Sequence, residues 1–232
     1  MRFSEKLRQN TDHIFEACYD HPFIQGIGKG HLEKEQLIHY VKQDYEYLNA
    51  MIQARALAIA KSRTREEMEL FHSGIGFILN SEIHPHHNLC DQAGVGYDEL
   101  HGYPLAPTAQ HYAKHMLHTA YEGNIGDIIA ATLPCPWIYL DVGRRLIEDY
   151  QPDETHPFYD WITFYGQQEE PRMQEYLDKL DQMAETASDE EVKRWEEHFL
   201  DGCQLEYMFF DMAYKAHDWP FAEDKKPGHA AQ

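Results

Sequence analysis

The sequence is poor in positive charge. Its 20 Lys and Arg stand against 40 Asp and Glu, a formal charge of −20 over 232 residues with the 16 histidines neutral. Affinity for a nucleic-acid backbone or an anionic membrane comes from clustered Lys and Arg, so this balance argues against both partners while saying nothing of the fold. Cysteine is scarce too: Cys18, Cys90, Cys135 and Cys203 lie far apart with no CxxC pair. That removes the usual structural-zinc signature and leads us to expect free thiols in a reducing cytosol. No apolar run reaches the roughly 18 to 20 residues that span a bilayer, and Met1-Arg2-Phe3-Ser4-Glu5-Lys6 has no apolar signal region, so a cytoplasmic location is expected. Nor does a Gly/Ser/Pro-rich linker mark a seam, and the expectation is one domain over residues 1–220 with a flexible, apolar-poor tail at 221–232. What is present, 43% hydrophobic and 13% aromatic residues, suffices for a core and excludes global disorder.

Strand-like alternation is scarce, whereas helical periodicity runs through most of the chain. The pattern reads as all-α, a bundle of roughly eight to eleven helices. Ser4 is expected to cap a first helix carrying Leu7, Ile14, Phe15 and Cys18, and His21 to Gly30 reads as a turn rich in helix breakers. Long helices are expected from about Glu33 to Lys61 and from Thr64 to Pro85, where the ring must end or kink the second. Further helices are read at about Ala109–Glu122, from Ile125 through Pro134 and Pro136 to Tyr150, and from Pro157 through Tyr165. An acidic amphipathic helix follows over Gln168–Ala187. Ser188-Asp189-Glu190-Glu191 resembles a capping box that opens a last helix to about Lys215.

Three segments carry candidate chemistry. Tyr40, Asp44, Tyr47 and Met51 fall on one helix face, which puts a carboxylate between tyrosine rings on an inward stripe; it is either satisfied by a hydroxyl or placed for a nitrogen-rich ligand. In Leu133-Pro134-Cys135-Pro136-Trp137-Ile138-Tyr139 the cysteine stands at a helix start, where the dipole favours a thiolate, with Tyr139 one turn later. Glu206 neighbours Phe209 and Phe210 in the last helix, and a carboxyl among aromatics becomes a proton donor near neutral pH. Glu82, His84, His86 and His87, with His111 and His115, give a weaker signal for a metal, because Pro85 interrupts their helix and no second Glu-x-x-His accompanies them.

Together, His21-Pro22-Phe23-Ile24-Gln25-Gly26-Ile27-Gly28, Gln43-Asp44 with Tyr47, Leu133-Pro134-Cys135 with Tyr139, Tyr165-Gly166, and Glu206-Tyr207 with Met212-Ala213-Tyr214 resemble the cysteine-bearing branch of the TenA family, thiaminase II or aminopyrimidine aminohydrolase. The likeness runs in order from residue 1 to about 220. It implies a haem-oxygenase-like α-bundle without haem, metal or other cofactor, and a homotetramer. The implied activity is hydrolysis of aminopyrimidines, or of thiamin, in thiamin salvage. By position, Cys135 is similar to the nucleophile that adds to the amine-bearing ring carbon and Glu206 to the acid and base. Asp44 resembles the carboxylate that holds the pyrimidine, and Tyr47, Tyr112, Tyr139, Tyr165 and Phe209 the pocket lining, with Tyr139 expected to hydrogen-bond near Cys135. The alternatives are a haem-oxygenase-like di-iron oxidase and a pyrimidine-binding regulatory protein without catalysis.

Overall fold

The computed structural model describes residues 1–167 and 171–222. Among them the chain forms eleven α-helices, one short 3-10 turn at Tyr97–Leu100 and no strand. Two long helices organise the rest. Helix α3 (Lys34–Lys61) buries Leu37, Tyr40, Val41, Asp44, Tyr47, Leu48 and Met51, residues three or four apart that share one stripe. Helix α11 (Asp189–Lys215) buries Phe199, Cys203, Glu206, Phe209, Phe210 and Ala213 in the same way. It starts at the expected capping box: the Glu191 amide donates to the Ser188 hydroxyl at 3.3 Å, and Glu191 accepts from the Ser188 amide at 3.0 Å.

Around this pair pack α1 (Phe3–Tyr19), α6 (Pro107–Glu122), α7 (Ile125–Thr132) and α8 (Pro134–Tyr150); α9 (Tyr159–Gly166) lies on α8, and α10 (Pro171–Ala184) on α1 and α7. A continuous set of buried apolar side chains runs from Leu7 to Ala213. Helices α8 and α9 approach closely because both offer glycine at the crossing. A Cβ on Gly143 would lie 2.5 Å from the Gly166 amide nitrogen, and that contact fixes the height of Tyr165 beside α8.

Several boundaries differ from the sequence reading. Ser4 is no cap: it sits inside the first turn of α1, where its amide and hydroxyl donate to Asp181 at 2.7 and 2.8 Å. His21 to Gly30 is largely helical, as α2 (Pro22–Gly28), because proline suits a first turn and the His21 ring accepts from the Phe23 amide at 3.1 Å. Pro85 ends nothing. Helix α4 (Arg65–Asn80) has already stopped, and Pro85 lies in the first turn of α5 (Ile83–Ala93), where no amide proton is missed. Residues 168–170, where the acidic helix was expected to start, and 223–232, most of the expected tail, fall outside the described residues. The expectation that no run reaches membrane length is also corrected. Ile125–Tyr150 is long and apolar enough by composition, yet 83% of its most apolar window is buried inside the protein, as befits a core helix pair.

Candidate active site

The sequence-predicted residues converge where α3, α6, α8, α9 and α11 meet. Cys135 is the second residue of α8, and the chain enters it without a clean helix start: Leu133 closes α7 and opens α8 with the helical dihedrals −70° and −32°. The Trp137 amide accordingly donates to the Leu133 carbonyl at 3.2 Å. Few amides are left free to stabilise a thiolate, and burial among carboxylates pushes the Cys135 thiol well above its ordinary range, through desolvation first and then the charges of Glu206, Glu82 and Asp44. Burial thus opposes the activation that the helix terminus was expected to give Cys135.

Glu206 comes up from α11, 2% exposed. Burial raises its carboxyl to about 8; the Tyr112 hydroxyl, the Cys135 thiol and the Tyr47 hydroxyl oppose that rise, and the nearby Asp44 charge adds to it. Neither tyrosine closes a full hydrogen bond, since the Tyr47 and Tyr112 hydroxyls and Glu206 Oε1 are all buried with no hydrogen-bond partner. Two orphan hydroxyls beside a carboxyl oxygen that is itself unpartnered leave hydrogen-bonding capacity that a ligand could satisfy.

Aromatic rings frame that place. Tyr47 packs on Tyr112 at 4.7 Å between centroids and on Phe209 at 5.6 Å. Tyr139 packs on Tyr165 at 4.7 Å. The Tyr139 hydroxyl does not turn toward Cys135 as expected; it lies 2.6 Å from the hydroxyl of Tyr40, and both residues are buried.

Cys135, Tyr139 and Tyr165 form the inner wall of a cavity of about 1180 Å³ that opens between α4, the start of α8 and α10. Met51, Leu70, Phe77 and Tyr176 supply apolar walls, and Glu66, Glu69, Glu175 and Asp178 an acidic mouth. Asp44, Tyr47, Tyr112, Glu206 and Phe209 are absent from that wall; they are packed in the core, with Asp44 and Glu206 close enough to act electrostatically on Cys135. All eight predicted site residues are thus buried in one neighbourhood, three on the cavity and five within the core beside it.

Two neighbours were missed. Tyr40 was read only as part of a stripe, not as Tyr139's partner. His86 was weighed as a metal ligand, yet its Nε2 lies 2.7 Å from Asp44 Oδ2. The sequence held a signal for it: Leu89, Cys90 and Ala93 continue the face of His86 at helical spacing and are buried with it. Elsewhere, His115 packs against His198 at 5.5 Å, Asp211 is bridged by Lys215 at 2.8 Å, and the described residues hold no group of three or more His, Cys, Asp or Glu arranged around a metal-sized gap.

Known proteins resemble this chain over most of its length. The profile of the TENA/THI-4/PQQC family matches residues 8–216. An aminopyrimidine aminohydrolase of Halalkalibacterium halodurans is 35% identical over 95% of this chain and 99% of its own length. Among solved structures, a protein from Silicibacter sp. TM1040 described as a TenA family transcription regulator superimposes with a TM-score of 0.81 at 26% identity, over 92% of this chain and 96% of that one. A Shewanella denitrificans domain with a heme oxygenase-like fold gives 0.61 at 13% identity, over 91% and 92%, which bears on the fold alone.

Proposed function

Since the chain belongs to the TENA/THI-4/PQQC family, we propose that it is an aminopyrimidine aminohydrolase of the thiaminase II type, acting in thiamin salvage. One observation carries the reading. A buried thiol on the wall of a cavity lined with aromatic rings, Cys135, and a carboxyl in the core behind it raised to about 8, Glu206, influence each other. The substrate we propose is 4-amino-5-aminomethyl-2-methylpyrimidine, hydrolysed to its hydroxymethyl product, with thiamin as a second substrate.

The residues divide the work as follows. Tyr47, Tyr112, Tyr139, Tyr165 and Phe209 hold a flat heteroaromatic ring by stacking and edge contacts. Asp44 accepts hydrogen bonds from the ring's amine edge. Glu206, protonated at neutral pH, gives its proton to a ring nitrogen, which makes the ring electrophilic, and the resulting carboxylate takes the Cys135 proton as sulfur adds. A hydroxymethyl product requires the amine to leave the exocyclic methylene. Sulfur therefore adds to a ring carbon conjugated with that methylene, and not to a ring carbon bearing an amine, as the sequence reading had it. Glu206 returns its proton to the departing amine, then deprotonates the water that replaces it; as sulfur leaves it takes that proton, and the ring nitrogen gives its own back to the Glu206 carboxylate, which restores the ring, the thiol and the acid. The raised thiol belongs to this scheme: Cys135 gives up its proton only as Glu206 protonates the substrate.

Cys135→Ser and Cys135→Ala test the reading. Both should fold and lower kcat for ammonia release by a factor of about 10³ or more, and rapid-quench mass spectrometry of the wild type should find a substrate adduct on the peptide containing Cys135. Substantial ammonia release by the alanine variant rules the covalent route out.

The same reading takes residues 1–220 as one domain and assigns the enzyme to the cytoplasm as a homotetramer. Supporting assembly, Leu200, Tyr207 and Tyr214 recur every seventh residue along α11 and are all exposed. Sedimentation equilibrium should return four times the chain mass of 27.3 kDa.

A further inference from the structure

Asp44 sits mid-way along α3 with a carboxylate that is almost fully buried, and such a group is oriented by whatever donates to it. Among the described residues its side chain is hydrogen-bonded to His86 alone, Nε2 to Oδ2 at 2.7 Å. The imidazole is itself wholly enclosed, and its other nitrogen, Nδ1, lies 3.3 Å from the Tyr97 hydroxyl. The chemistry fixes the polarity of this chain. A carboxylate only accepts, so His86 donates through Nε2, and Nδ1 of that tautomer accepts from Tyr97. The rings of Tyr40 and Tyr97 pack against the imidazole at 6.3 and 5.6 Å, which removes its freedom to turn. Oδ2 is thereby committed to protein, while Oδ1 has no hydrogen bond from any described residue.

We propose that His86 is a positioning residue for the aminopyrimidine: by binding Oδ2 it fixes the rotation of the Asp44 carboxylate and leaves Oδ1 as the atom that accepts an N–H of the ring's amine edge. The inference rests on the assignment of Asp44 to pyrimidine recognition made above. The carbon–carboxylate torsion of aspartate is soft, with broad minima. A recognition oxygen on such a group needs a second partner to hold it within the tolerance that binding demands.

Calorimetric titration with the hydroxymethyl pyrimidine, which binds without turnover, tests the proposal on the full chain. Asp44→Asn, His86→Phe, His86→Gln and the double variant Asp44→Asn/His86→Phe are compared, with thermal unfolding of each. His86→Phe should weaken binding about tenfold or more. His86→Gln, whose side-chain amide can donate to the same oxygen, should recover to within about threefold of the wild type. In the Asp44→Asn background the His86→Phe change should add less than about twofold, because its effect passes through the carboxylate. A merely structural histidine would give equal losses in both backgrounds and no recovery with glutamine, and that pattern overturns the proposal. If His86→Phe does not fold, Tyr97→Phe decides: a loss of about threefold that vanishes in the Asp44→Asn background supports the relay, and unchanged binding sinks it. Normal binding by Asp44→Asn overturns the pyrimidine reading itself, whereas weak binding by Asp44→Asn beside normal binding by a folded His86→Phe overturns the positioning role alone.

Discussion

Glu206 shows how one side chain links stability to activity. Its carboxyl is raised by burial from 4.5 to about 8, so between those values the unfolded chain has lost a proton that the folded chain still holds. Stability then falls as pH rises through this window and levels off above it. Glu206→Gln keeps the shape and removes the titration. The variant's melting temperature should therefore exceed the wild type's by a margin that is small near pH 5, widens toward pH 8, and corresponds to a few kcal/mol at most. A constant margin across a pH series of calorimetric scans would show that burial does not govern this group. Catalysis has the same sign: in the proposed role of proton donor Glu206 would work below its raised value, so kcat/KM should decline above about pH 8, and the glutamine variant should lose both the activity and that limb of the profile.

Among the helices, the α8–α9 crossing is the most sharply testable. A methyl group at Gly143 would meet the backbone of Gly166 at 2.5 Å and that of Tyr165 at 2.8 Å, and backbone gives way less readily than a side chain. Gly143→Ala should cost about 1 to 3 kcal/mol of stability and, by lifting α9, displace Tyr165 from Tyr139; chemical denaturation and a raised KM with kcat largely preserved would report the two effects separately. The crossing also shows what was legible in the sequence. Helices α3 and α11 could be read because an uninterrupted helical period places every buried residue three or four apart, and the capping box at Ser188 set the start of α11. Asp44 and Glu206 stood out because each breaks the chemistry of its own stripe, and Cys135 because it stands at a helix start between two prolines. Helix α2 was hidden by Pro22, Gly26, Gly28 and Gly30, which read as breakers but are tolerated at a first turn, at close packing contacts and beyond the helix end. The His86–Asp44 contact joins residues 42 apart, and it could not be drawn while Pro85 was taken to end a helix. Which face of Cys135 meets the cavity depends on how α4 and α10 pack, and no local pattern encodes that.

At the scale of the molecule, the excess of acid acquires a direction. Glu66, Glu69, Glu175 and Asp178 gather at the cavity mouth, within a chain of formal charge −20, and the field there draws in cations. An alkylamine substituent is protonated at neutral pH, so kcat/KM for the aminomethyl pyrimidine should fall several-fold between about 0.05 and 0.5 M salt as screening shortens the reach of that field. The uncharged hydroxymethyl product should bind with no such dependence, and equal salt sensitivity for both would remove steering as the cause. The hydroxyls of Tyr47 and Tyr112 and the Oε1 of Glu206, buried without partners, have a consequence for the lifetime of the protein itself. These polar atoms lie in the centre of the chain without the partners that water gave them before folding, and a pyrimidine bound there as proposed would supply those partners. Occupancy then lowers the fraction of molecules open to proteolysis by the factor 1 + [L]/Kd, so the enzyme should persist longest in cells that still contain the compound it clears.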